Sequence, residues 1–123
     1  MDKIKRSEIN EEWAHSGIIE AGDFVYTSYC VGYPFSQPIE AQINGAVDHL
    51  EKRLESIGLT LDSVVKLDCL FKDIFQIPIM EKVFKERFNG KYPARKSFQT
   101  EFGGTEKILF QLDAIAYKGC LHK

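Results

Sequence analysis

Ser63-Val64-Val65-Lys66-Leu67-Asp68-Cys69-Leu70-Phe71-Lys72-Asp73 is the run on which the fold turns. Val65, Leu67, Cys69 and Phe71 fall on one side of an extended chain, and Lys66, Asp68 and Lys72 fall on the other with Leu70. A period of two predicts a strand with one buried face. Such a strand needs an apolar cover, and helical patterns flank it on both sides. Upstream, Ile39, Ile43, Ala46, Val47, Leu50, Leu54 and Ile57 recur at spacings of three, four and seven. They predict an amphipathic helix opened by Pro38 and stopped at Gly58. Glu51, Lys52, Arg53 and Glu55, together with His49, read as its solvated side. Downstream, Pro78 opens a second helix carrying Ile79, Met80, Val83, Phe84 and Phe88 as far as Asn89-Gly90.

Residues 1–16 are polar and weakly patterned, compatible with a short strand and then a loop. Gly17–Ala21 and Phe24–Val31 read as a hairpin joined at Gly22-Asp23, followed by a loop over 32–38. After Tyr92-Pro93 a strand is expected over 94–102, because proline suits the first position of a strand and not its middle. Gly103-Gly104 turns the chain into a last strand over 107–117. One face of that strand is Ile108, Phe110, Leu112, Ala114 and Ala116; the other is Leu109, Gln111, Asp113, Ile115 and Tyr117. The order ββαβαββ predicts an α+β fold, a mixed sheet with two helices on one face. The uncovered face, with Leu109, Ile115, Tyr117 and Tyr26 or Tyr29 among polar groups, suits burial against other copies of the chain, so a homo-oligomer is expected.

The 123 residues are read as one domain, 1–123, of ordinary globular composition: 44% hydrophobic, 28% charged, net charge −2. Lys and Arg are spread along the chain without a basic stripe, so nucleic acid is not expected as a partner. Cys30, Cys69 and Cys120 are odd in number and have no metal-ligand spacing, which predicts idle thiols in a reducing cytoplasm and no metal site. The polar start of the chain does not resemble a secretion signal, and no apolar run approaches membrane-spanning length.

Arg95 and Ser97 share one face of the strand that follows Pro93. A guanidinium keeps its proton and offers a planar fork of donors that fits a carboxylate. Beside a small hydroxyl it suggests a pocket for a small organic acid, the alternative being an ion pair with a local Asp or Glu.

Several segments together resemble the RidA (YjgF) family of reactive-intermediate deaminases. They are Glu20-Ala21-Gly22-Asp23-Phe24-Val25-Tyr26-Thr27-Ser28, the helix from Gln42 to Gly58, Val64-Val65-Lys66-Leu67-Asp68, Lys72-Asp73-Ile74, Phe88 with Pro93-Ala94-Arg95, and Asp113-Ala114-Ile115-Ala116. The resemblance spans residues 17–117. It implies a chorismate-mutase-like fold, a homotrimer, and clefts between subunits in which enamines and imines such as 2-aminoacrylate are hydrolysed to 2-ketoacids and ammonia without cofactor. By the same resemblance Arg95 holds the substrate carboxylate, Ser97 lines the pocket, and Ser28 and Tyr29 match a Ser-Gly pair of the cleft. His15 stands where the family has a pocket tyrosine, and Gln111 stands where it has the glutamate that activates water. An amide orients water but does not take its proton. The resemblance therefore leaves two readings: a deaminase, with Asp113 or His15 as an alternative base, or a trimeric module that binds ketoacids without turning them over.

Overall fold

Leu67, Cys69 and Phe71 are fully buried, and so are Phe110 and Leu112 from the end of the chain, with Ala114 and Ala116 almost so. These two sets meet because their strands pair antiparallel, with Leu67 opposite Ala114, Cys69 opposite Leu112 and Phe71 opposite Phe110. The last pair packs edge to face at 5.0 Å between ring centroids, within the favoured range for aromatic pairs.

The computed structural model describes residues 3–103 and 107–119. Its main elements are β1 (Ile4–Asn10), β2 (His15–Ala21), β3 (Phe24–Thr27), α1 (Ile39–Glu55), β4 (Val64–Phe71), α2 (Ile77–Phe88), β5 (Ala94–Gln99) and β6 (Phe110–Tyr117). The strands form one sheet in the order β1-β2-β3-β6-β4-β5. All neighbours are antiparallel except β4 and β5, whose parallel pairing uses α2 as the crossover. Both helices lie on one face: Ile43, Ala46, Val47, Leu50 and Leu54 of α1, and Met80, Val83, Phe84 and Phe88 of α2, join one core with the inward residues of β4 and β6. The fold is thus the expected α+β arrangement. The opposite face is open in the single chain and shows Tyr26, Phe24 and Tyr117 at about two-fifths exposure. Neither described helix is long and apolar enough to cross a membrane.

The structure departs from the sequence expectations in identifiable places. The polar N-terminal stretch contains the short strand expected there, β1, but the loop after it is brief, and β2 begins at His15 and not at Gly17. Because β1 is an edge strand with almost no buried side chain, it carries no apolar period to read. β3 stops at Thr27; the chain then kinks and makes a single bridge from Cys30 to Leu112. β5 ends at Gln99 and β6 begins at Phe110, both shorter than the expected 94–102 and 107–117. Val65 is 43% exposed while Val64 is buried, because a bulge between Val64 and Lys66 shifts the register there.

Gln42 ties the helical layer to the irregular chain around it. Wholly buried on α1, it directs its amide nitrogen at the carbonyls of Phe35 and Gln37 (both 3.1 Å) and Lys107 (3.0 Å), and its oxygen accepts from Leu109 N–H at 2.9 Å. Leucine in its place would leave several buried backbone groups without a partner. Gln42→Leu is expected to lower unfolding stability by roughly 2–4 kcal/mol, read as a shift of the urea midpoint at unchanged slope.

Candidate functional site

Arg95 is the second residue of β5 and pairs in register with Leu67, whose side chain enters the core. Partners across a ladder share a face, so Arg95 lies on the helix side, at the sheet edge beside α2. Ser97 follows on the same face against Cys69. Its hydroxyl is buried with no hydrogen-bond partner among the described residues. The Cys69 thiol is pushed up to about 12, chiefly by burial, which keeps it protonated and inert despite the nearby Arg95.

A cleft of about 290 Å³ opens beside Arg95. Leu67, Phe84, Tyr92 and Pro93 supply apolar walls, and Lys85 and Glu81 of α2 join the arginine in supplying charge. Arg95 Nη2 donates to Glu81 Oε2 at 2.9 Å. Arg95 thus has a protein acid as neighbour and a cavity beside it.

Gln111 lies on the other side of the sheet, opposite Leu70. It shares that open face with Asp113, which sits directly across from Asp68. Burial first, and then the neighbouring Asp68 charge, hold the Asp113 carboxyl above the usual carboxylate range, with Lys66 acting in the opposite direction. His15, at the start of β2, packs its ring 5.8 Å from that of Tyr29. Both ring nitrogens of His15 are buried without a partner among the described residues. Through the Cys30–Leu112 bridge this ring pair adjoins the part of β6 that carries Gln111. Within one chain the predicted residues thus form two groups: Arg95 with Ser97 at the β5 edge on the helix side, and His15, Ser28 and Tyr29 near the β2–β3 end, with Gln111 on the open face between.

What holds Ser28 and Tyr29 in place was not legible in the helix pattern. Arg53, expected on the solvated side of α1, is only 6% exposed. Its Nη1 donates to the carbonyls of Ser28 (3.1 Å) and Tyr29 (2.7 Å), and its Nε pairs with Glu8 Oε1 at 2.9 Å. The approach is close enough that a Cβ at Gly17 would fall 2.5 Å from Glu8 Oε1. One turn earlier, His49, also expected in solvent, is half-buried and accepts from Val31 N–H at 3.2 Å. Burial and the Arg53 charge lower its pKa, so it stays neutral and able to accept. The one sequence signal for Arg53 is its place three residues after Leu50 on the apolar stripe. Glu81 was likewise passed over, since nothing in its own helix marks it.

Residues 5–118 match the family model described as endoribonuclease L-PSP. The chain belongs to that family. A solved structure of a hypothetical protein from Streptococcus pyogenes, a yjgF-family member, is 57% identical with a TM-score of 0.90, covering 95% of this chain and 98% of that one. A RutC family protein of Pyrococcus abyssi is 26% identical over 110 residues, 85% of this chain and 86% of the relative. A YjgF-family structure from Mycobacterium tuberculosis shares the fold at 21% identity and TM-score 0.83, covering 93% of this chain and 98% of that one. The RidA/YjgF membership inferred from the segments above is thus established. Among the described residues of this family member, no group of His, Cys, Asp and Glu is arranged to hold a metal ion.

Two expectations follow. Arg53→Met removes the cation from Glu8 and from two backbone carbonyls, and is expected to destabilise the fold by roughly 2–4 kcal/mol, with increased amide exchange over residues 28–31. Asp113 binds its proton more readily folded than unfolded, so the native state loses stability as pH rises from the ordinary carboxylate pKa of about 3.9 through the raised folded value. Asp113→Asn is expected to be more stable than the parent at pH 7, with the advantage vanishing near pH 3 in pH-dependent denaturation.

Proposed function

We propose that the chain hydrolyses enamines and imines of the 2-aminoacrylate type to 2-ketoacids and ammonia, as a cytoplasmic homotrimer with its clefts between subunits. The observation that carries the reading is Arg95 at the mouth of an apolar-walled cleft of about 290 Å³, a size suited to an acid of a few carbon atoms. Its guanidinium is the carboxylate clamp, and Ser97 lines the same wall.

The need for more than one copy follows from distance. β2, which carries His15, and β5, which carries Arg95, are four strand steps apart, about 19 Å at the usual strand spacing. No three- or four-carbon acid spans that, and Gln111 faces away from Arg95. Association through the open apolar face would set the Arg95 edge of one subunit against the group of His15, Tyr29, Ser28 and Gln111 of the next.

In that cleft a protonated imine is already electrophilic and requires neither metal nor organic cofactor. Gln111 orients a water whose oxygen bonds to the imine carbon while the C=N pair moves to nitrogen. Asp113, next on the same face, takes the proton that the amide cannot, and the direction of its shift suits a base. A proton then passes to the nitrogen, the hydroxyl oxygen pair forms C=O as the C–N bond breaks and ammonia leaves, and loss of the hydroxyl proton gives the ketone. The word endoribonuclease in the family description has little support in the charge distribution, because the net charge is −2 and the open face carries the paired Asp68 and Asp113. The absence of a carboxylate at Gln111 favours a second reading, ketoacid binding without turnover.

The test is release of ammonia and pyruvate from freshly generated 2-aminoacrylate. The parent should exceed buffer, and Arg95→Ala should lose roughly ten- to a hundredfold in kcat/KM, the worth of a charge-assisted contact. Calorimetric ketoacid binding without turnover would replace catalysis by the binding reading; indifference of both to Arg95→Ala would remove both.

A further inference from the structure

The ion pair at the Arg95 cleft is built across elements, not along a helix. Glu81 has Lys85 one turn further along α2, where an opposite charge ordinarily pairs. Its ion pair is instead with Arg95, fourteen residues on in β5. Phe84, buried between them in sequence on the core side of α2, fixes the helix so that Glu81 and Lys85 border the cleft. Only one guanidinium nitrogen and one carboxylate oxygen are engaged in the pair. The remaining Arg95 donors and Glu81 Oε1 make no other hydrogen bond among the described residues.

We propose that Glu81 is a specificity-determining residue, selecting ligands that carry a positively charged or N–H-bearing nitrogen next to a carboxylate over ligands that carry a carboxylate and a ketone. The inference rests on the reading of Arg95 as carboxylate clamp. A cation and an anion held side by side match the two ends of an α-imino or α-amino acid. Once the ligand carboxylate lies on the free edge of the guanidinium, its α-nitrogen stands beside Glu81, whose free oxygen accepts an N–H. A 2-ketoacid puts an oxygen acceptor there, which a carboxylate cannot satisfy and repels. Lys85, at the exposed rim, attracts any anion and does not discriminate. A deaminase gains from this arrangement, because its substrate has the nitrogen and its product has lost it. Glu81 thereby favours entry of the imine and departure of the ketoacid.

The experiment compares stable ligands of matched carbon skeleton, 2-aminobutyrate and 2-ketobutyrate, titrated by calorimetry into the parent, Glu81→Gln, Glu81→Ala and Arg95→Ala. The parent should bind the amino acid about fivefold more tightly than the ketoacid, the scale of a partly exposed charge pair. Both Glu81 variants should bring that ratio to one or below, mainly by tightening the ketoacid, while Arg95→Ala weakens both ligands. The ratio is insensitive to general loosening of the fold, and Glu81 is half-exposed, so its variants should fold. An Arg95-dependent affinity whose ratio is the same in the Glu81 variants overturns this inference alone. Equal tightening of both ligands does the same, because it makes Glu81 a mere competitor for the arginine. Failure of the parent to bind either ligand, or binding untouched by Arg95→Ala, overturns the clamp and the selectivity together.

Discussion

From Lys66 to Phe71 the ladder between β4 and β6 sets each inward side chain of one strand against an inward side chain of the other, and each outward residue against an outward one. With the helices on one side only, that alternation decides which groups meet solvent or another chain. Asp68 faces Asp113 and Leu70 faces Gln111 on the open side, while Phe71 and Phe110 close the core beneath α1. A slip of β6 by one residue would send Gln111 and Asp113 into the core and turn Phe110 and Leu112 out. The apolar set on β6, running from Phe110 to Ala116 without a polar residue, makes such a slip prohibitive. The parallel addition of β5 carries the same alternation to the sheet edge, which is why Arg95 and Gln111 face opposite ways.

Two arginines perform contrasting work in this frame. Arg53 is sunk in the protein, and all its contacts are internal: a carboxylate, two carbonyls and, at 3.5 Å, the Cys30 sulfur. It joins β1, α1 and the chain leaving β3, and with His49 it makes one side of α1 the mould for residues 28–31. Arg95 is partly exposed, with a single hydrogen-bonding partner among the described residues and a cavity beside it. A cation with unused donors at a cleft is suited to a ligand, whereas one whose donors are consumed inside the fold is suited to holding shape.

The separation of the site residues links fold to function. Groups on β2 and β5 are too far apart for one small molecule, yet the open sheet face presents Tyr26, Phe24 and Tyr117 as well as Asp113, whose charged form burial disfavours. Covering that face removes apolar area from water, the usual driving force of association. In the proposed assembly it would also bring the edge of one copy to the face of another. In the proposed function, assembly and chemistry would both depend on the same uneven layering of helices on the sheet.

Strong local periods made much of this legible in the chain itself. The alternation through Leu67, Cys69 and Phe71, the apolar stripe from Ile39 to Leu54, and Asn89-Gly90 at the end of α2 declare two helices over a sheet, because each is a pattern among near neighbours. The segments that mark the family, and Arg95 after Pro93, were readable for the same reason. Tertiary structure alone decided the rest. β1 becomes a strand only by pairing with β2, Val65 is turned out by a bulge, and Arg53 and His49 are drawn in because irregular chain crosses α1 where a surface was expected. Glu81 meets Arg95 only after the β4–α2–β5 crossover has folded. Sequence patterns record which faces must be hidden; which polar groups then find one another depends on contacts between distant parts of the chain, and no local period encodes those.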